Sequence, residues 1–221
     1  MSTDVMTSSS RYSIREEIAS SVTHGIGILL SFAALLIMVI YAARYGSVWH
    51  IVGAAVFGCG LIMTYTSSTL YHSFQKEKVK AVFRTLDHVA IFLLIAATYT
   101  PLTLVNLRGP WGWSIFGVVW GLALFGIIVE CTSLRRFRLA SVLLYIGMGW
   151  IVIIALKPLL EMVQTGGLIL LLGGGLFYTI GCLFYAWKSL PYNHAIWHLF
   201  VLGGSVCHFF AIMCYVLPVD V

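Results

Sequence analysis

The chain has 221 residues, 60% of them hydrophobic and only 10% charged, with a mean hydropathy of +0.97. A water-soluble domain carries about 25% charged and about 45–50% apolar residues, so this composition excludes an ordinary globular surface and makes lipid the main solvent. The net charge of +5 does not point to nucleic acid, because the basic residues sit in short segments between apolar stretches, where they report topology.

Met1 to Ser13 is polar and rich in Ser and Thr, and no short apolar run with a small-residue cleavage site follows it. We therefore expect residues 1–17 to be a cytoplasmic amino-terminal tail and residues 18–221 the transmembrane domain, with the first helix as an uncleaved signal anchor. Crossing about 30 Å of hydrocarbon takes roughly 20 helical residues. Apolar stretches of that length run over 22–43, 49–73, 85–106, 111–130, 139–156, 166–187 and 194–217. Between them lie Arg44-Tyr45-Gly46, Gln75 to Lys80, Arg108-Gly109-Pro110, Arg135 to Arg138, Lys157-Pro158 and Lys188 to Pro191. The stretches are continuously apolar rather than alternating, which argues against a membrane β-barrel. The fold class is all-α integral membrane, a bundle of seven transmembrane helices.

With the amino terminus in the cytoplasm, the inner segments hold Arg11, Arg15, Lys76, Lys78, Lys80, Arg84, Arg135, Arg136, Arg138 and Lys188. The outer segments hold only Arg44, Arg108 and Lys157. In loops this short, that asymmetry puts the amino terminus inside and the carboxyl terminus outside. G-protein-coupled receptors have the opposite arrangement, so seven helices do not by themselves imply that class.

Cys59, Cys131, Cys182, Cys207 and Cys214 form no Cys-x-x-Cys pair and read as small buried hydrophobes. The glycines at 53, 58, 60, 173–175, 203 and 204 read as surfaces for close helix packing. A metal would draw on the histidines.

Ionisable groups within a span are costly, so each is a functional hypothesis. His194 and His198 open the seventh stretch four residues apart, so both imidazoles project from one face, about 6 Å apart along the axis. Such a pair suits a transition metal. Ser68 and His72 share a face at the end of the second stretch; taken alone, the Ser68 hydroxyl reads as bonded back to its own helix. Asp87 opens the third stretch, where the helix dipole alone would favour it. His88 is rotated about 100° from Asp87 and reads as structural or interfacial.

Topology unites these signals. The second helix runs inward and the third and seventh run outward, so His72, Asp87, His194 and His198 share the cytoplasmic end. His24 begins its helix on the same side, with Glu17 about two turns earlier, and suits either a site hydrogen bond or packing. His50 and His208 belong to the outer half and are set aside. Glu130 is expected to form a boundary ion pair with Arg135 or Arg136.

Three neutral imidazoles, His72, His194 and His198, leave one position of a tetrahedral Zn2+ open, as in a catalytic site. Water on zinc has its pKa lowered to about 7. Asp87 would orient or deprotonate that water, and Ser68 would donate to a developing oxyanion. At the inner-leaflet boundary the substrate class is a lipid ester or amide.

Five stretches carry a family resemblance: Glu16-Glu17 through His24-Gly25-Ile26-Gly27, Ser67-Ser68-Thr69-Leu70-Tyr71-His72, Asp87-His88, Ala97-Thr98-Tyr99-Thr100-Pro101, and Pro191-Tyr192-Asn193-His194-Ala195-Ile196-Trp197-His198. Together they resemble the bacterial hemolysin III family, the prokaryotic branch of the progestin and adipoQ receptor group. That group includes the adiponectin receptors and looks related to alkaline ceramidases. The resemblance implies zinc ligated by His72, His194 and His198, Asp87 holding water on the metal, and Ser68 as a neighbour. The long amino-terminal domain of the animal receptors has no counterpart, so hormone sensing is not carried over. The family name also implies a membrane-perturbing protein, and a transporter or a sensor of membrane state with a structural zinc is a third class. The expected location is the bacterial inner membrane, multi-pass, with membrane lipids as partners, no nucleic acid, and room for a homo-oligomer.

Overall fold

The computed structural model describes residues 12–136 and 138–218; Arg11, within the expected tail, and the side chains of Arg135 and Arg138 lie outside the described residues. Among the described residues there are helices and no strands. In chain order they are α1 (Ile14–Tyr45), α2 (Val48–Ser73), α3 (Glu77–Leu104), α4 (Pro110–Cys131), α5 (Arg138–Gly149), α6 (Leu156–Met162), α7 (Thr165–Ala186) and α8 (Asn193–Tyr215). Seven stretches are long and apolar enough to cross a membrane, the fifth built from α5, a 3-10 turn and α6.

Two spans start well before their apolar stretches. α1 begins at Ile14 rather than 22, and α3 at Glu77 rather than 85. Hydropathy marks only the hydrocarbon-embedded part, whereas helical hydrogen bonding continues wherever the end is capped and its charges are matched. Ser13 and Glu16 form a reciprocal capping box that opens α1. Lys80 of α3 donates to Glu17 of α1 at 2.6 Å, which ties the two overhangs together. Residues 14–17, expected in the tail, are therefore helical.

The fifth span departs further. Lys157-Pro158 reads as its end, yet helix continues to Met162. Pro158 sits in the first turn of α6, where a missing N–H costs nothing. The break comes earlier: α5 stops at Gly149 and Ile151–Ala155 winds as 3-10 helix. Tyr99 of α3 bridges that break, its hydroxyl donating to the Gly149 carbonyl at 2.7 Å and accepting from the Val152 N–H at 3.0 Å. Two backbone groups orphaned by the change of winding are thus satisfied away from water.

Successive helices pack closely from α1 through α4, α7 packs on α8, and α8 closes the ring against α1. Small residues permit the tight crossings. A Cβ on Gly53 would stand 2.8 Å from the Pro101 Cα, so α2 and α3 approach nearly backbone to backbone there. Met38, Phe57, Phe92 and Ile212 fill the interior, while Ile18, Val22, Leu29 and Ile40 of α1 face outward as a lipid-facing side would. α5 touches α3, α4 and α7 only lightly, and a cavity opens in the bundle beside it.

Candidate metal centre

At the end of the bundle where α2 finishes and α3 and α8 begin, three imidazoles converge. His72 lies in the last turn of α2, and His194 and His198 occupy the first two turns of α8. α8 is aimed by Tyr192, the one non-glycine residue with positive φ (57°) among those described. Its N–H donates to Glu16 of α1 at 3.0 Å, and Asn193 Nδ2 donates to the terminal α7 carbonyls of Phe184 and Tyr185. The left-handed conformation, costing about 1–2 kcal/mol, is held by contacts from two other helices.

The Nε2 atoms of His72 and His194 are 3.1 Å apart, and one ligand atom from each of the three histidines lies within 4.8 Å of the others. All three rings are buried, and His198 Nε2 has no hydrogen-bond partner. The opposite nitrogens are all engaged. His72 Nδ1 donates to Glu17 at 2.6 Å, His198 Nδ1 donates to the Ser20 carbonyl at 3.2 Å, and His194 Nδ1 meets the Tyr12 hydroxyl at 3.4 Å. Acceptors on Nδ1 leave the lone pair of His72 and His198 on Nε2, pointing inward. Converging lone pairs repel one another and suit a cation; ligands in a tetrahedral site with metal–nitrogen bonds of about 2.0–2.1 Å stand roughly 3.3 Å apart. The residues therefore fit a metal ion.

Glu17, Lys80 and Tyr12 were not among the site residues legible from motif spacing. Glu17 is 2% exposed and divides its carboxylate between His72 and Lys80, each at 2.6 Å. This is the carboxylate–histidine arrangement that orients a ligand and raises its basicity. A usable signal existed: Glu17, Ser20, His24, Gly27 and Ser31 recur on one face of α1, and that face is buried. His24 stacks on His198 with ring centroids 3.5 Å apart and meets Tyr65 edge-on. Neither of its nitrogens has a hydrogen-bond partner, so it supports the site by packing.

Asp87 is 3% exposed and lines the cavity with His24 and His194, outside the ligating trio. Ser68 is wholly buried beside the Asp87 carboxylate. Its hydroxyl makes no hydrogen bond of good geometry to any group, its own helix included. Ser31, Thr64, Thr98 and Thr100 do bond back one turn, so the backbone-bonded expectation fails at Ser68 alone of these. His88 stands apart: its Nδ1 is 3.2 Å from Glu130, which also accepts from Ser141 at 2.8 Å. Glu130 is thus a buried member of a second polar cluster at the end of α4. His50 caps α2 through Ser47, away from the site.

From this end the cavity runs between α3, α5, α7 and α8, past Asp87, Tyr145 and Trp197 to His208, with mainly apolar walls.

The haemolysin-III related family model matches residues 12–209. "Hemolysin-3" of Bacillus cereus is 49% identical over 98% of both chains, and "Hemolysin-3 homolog" of Bacillus subtilis is 47% identical over 94% of this chain and 98% of its own. The human "Monocyte to macrophage differentiation factor" is 30% identical over 76% of this chain and 71% of its own. Seven membrane-length helices, a buried histidine trio and matches over nearly the whole length place this multi-pass bacterial membrane protein in the haemolysin III family.

Proposed function

We propose that His72, His194 and His198 hold Zn2+ at the cytoplasmic boundary of the inner membrane, and that the protein hydrolyses a lipid amide or ester there. The observation that carries this reading is the convergence of one ring nitrogen from each of three histidines whose Nδ1 atoms have partners outside the trio, next to an acid and a hydroxyl that are not ligands. An all-imidazole set of three favours zinc with an open position, and the absence of thiolates argues against a sealed structural site. When bound, zinc supplies a Lewis acid for the scissile carbonyl and acidifies water.

The chain's own residues do the rest. Asp87 takes a proton from the attacking water and returns it to the leaving amine or alcohol. The Ser68 hydroxyl donates to the carbonyl oxygen as negative charge develops. Glu17 holds the His72 ring in orientation, and the cavity seats the acyl chain away from water. Membrane lipids are the partners, and the excess of Lys and Arg supports this end facing the cytoplasm.

The test is metal analysis of purified protein followed by assay of lipid hydrolysis. Zinc is expected in the wild type and lost in His194→Ala, while Asp87→Asn keeps the metal and loses the product. Unchanged zinc in His194→Ala would sink the ligand assignment. Zinc-dependent flux across liposomes without hydrolysis product would transfer the site to transport.

A further inference from the structure

Near the start of α3, Lys80, Arg84, Asp87 and Ile91 are spaced to share one face of the helix. Both ends of that stripe face the site, since Lys80 donates to Glu17 while Asp87 and Ile91 line the cavity. Arg84 stands between them, about 4.5 Å nearer the start of the helix than Asp87. Its side chain is half-buried, and it makes no ion pair or hydrogen bond with any described residue.

Facing Arg84 from α2 is Tyr71, the residue before His72. The Tyr71 hydroxyl interacts through space with Arg84 and Asp87 of α3, Glu17 of α1 and Tyr185 of α7, so it stands where these helices meet. Tyr71 is 8% exposed, its hydroxyl forms no hydrogen bond to a described residue, and that oxygen is not sealed off as Ser68 Oγ is. Lys80 lies 5.2 Å from the Tyr71 ring centroid, and Lys188, at the end of α7, lies 4.0 Å from that of Tyr185. The carboxylates here are already used, Glu17 by His72 and Lys80, and Asp87 by its place beside Ser68. The rim thus offers a guanidinium and a phenol with no partner of their own, flanked by two ammonium groups. That set matches an oxyanion, because a guanidinium grips phosphate through two parallel N–H groups and a phenol adds a further donor.

We propose that Arg84, with Tyr71, seats the phosphate of an anionic lipid headgroup at the rim of the site, so that the lipid hydrolysed is a phospholipid. This rests on the hydrolase reading and adds the headgroup to it. In a glycerophospholipid about five bonds of near 1.5 Å separate phosphorus from the nearer ester carbonyl carbon. A phosphate held by Arg84 therefore brings that carbonyl to the level of Asp87. An uncharged headgroup would leave the guanidinium unpaired. Attraction of basic residues in general to an anionic surface is the plainer alternative, and Lys78, exposed on the opposite face of α3, is the control for it.

The experiment titrates the purified full chain, in an uncharged detergent, with the diether dioctylglycerol and with its phosphate monoester, neither of which the proposed hydrolysis can cleave. Calorimetry should show the phosphate-bearing lipid bound roughly ten- to a hundredfold tighter, the range that charge-assisted hydrogen bonds supply. Arg84→Gln should abolish that preference, and Lys78→Gln should leave it unchanged. If the Gln variant does not fold, Arg84→Lys decides: it keeps the charge without the fork and should bind the phosphate lipid less tightly than the wild type. Equal affinity of the wild type for the two lipids, binding of neither, or a preference that survives in the Arg84 variants overturns the phosphate seat. A preference lost equally in Lys78→Gln shows attraction by net charge alone and overturns it as well. Inorganic phosphate bound through Arg84 as tightly as the lipid assigns the seat to the free anion and overturns the headgroup. Absent zinc or absent hydrolysis bears only on the proposed function, because the ether lipids probe the seat without turnover.

Discussion

A carboxylate 2% exposed within a span would be costly alone, and Glu17 is tolerated because His72 and Lys80 each take one of its oxygens. The same sharing fixes the His72 ring. Glu17→Gln should therefore lower metal affinity about 10–100-fold, measured by chelator competition, with the fold intact; unchanged affinity would remove Glu17 from the site. Ser68 is the complementary case, a buried hydroxyl set beside Asp87 rather than bonded back to its own helix. Ser68→Ala is expected to keep the metal and reduce lipid hydrolysis about 100-fold. A loss of metal with unchanged specific activity would show that Ser68 supports the ligands instead. The trio was legible because His194 with His198, and Ser68 with His72, are spaced to share a helix face. Glu17 was legible only as part of a polar stripe on α1, and its pairing with Lys80 was not, since neither spacing nor hydropathy links the starts of α1 and α3.

At the scale of elements, the fifth span shows where local rules stop. A Lys-Pro pair after an apolar run reads as a terminus, yet the proline sits in a first turn and the interruption lies at Trp150. What makes a mid-membrane change of winding tolerable is Tyr99, on a different helix. Tyr99→Phe should expose one carbonyl and one N–H at once and cost about 1–3 kcal/mol for each. The expected result is a lowered melting temperature in detergent with metal content retained; an unchanged melting temperature would mean that other groups close the break. α8 shows the same dependence, its entry angle being set by Glu16 and by the end of α7.

For the whole molecule, the prediction concerns direction. An alkaline phosphatase reporter fused after Lys188 should stay inactive, and one fused at the carboxyl terminus should be active, in a bacterial host. The reverse pattern would move the histidine trio to the opposite face of the membrane. The number and order of the spans could be read from the sequence because apolar length acts over some twenty residues and needs no partner, and the Lys and Arg bias supplies the direction that the reporter fusions test. The histidine pairs were readable for a similar reason, since one helix carries the geometry. Only the tertiary structure decided that His72 meets Glu17 across 55 residues, Lys80 meets Glu17 across 63, and His198 meets Ser20 across 178. It likewise left Ser68 without a helix bond and kept the fifth span helical past Pro158. Those outcomes depend on which helices close the ring, and closure of α8 on α1 is settled by packing among distant segments.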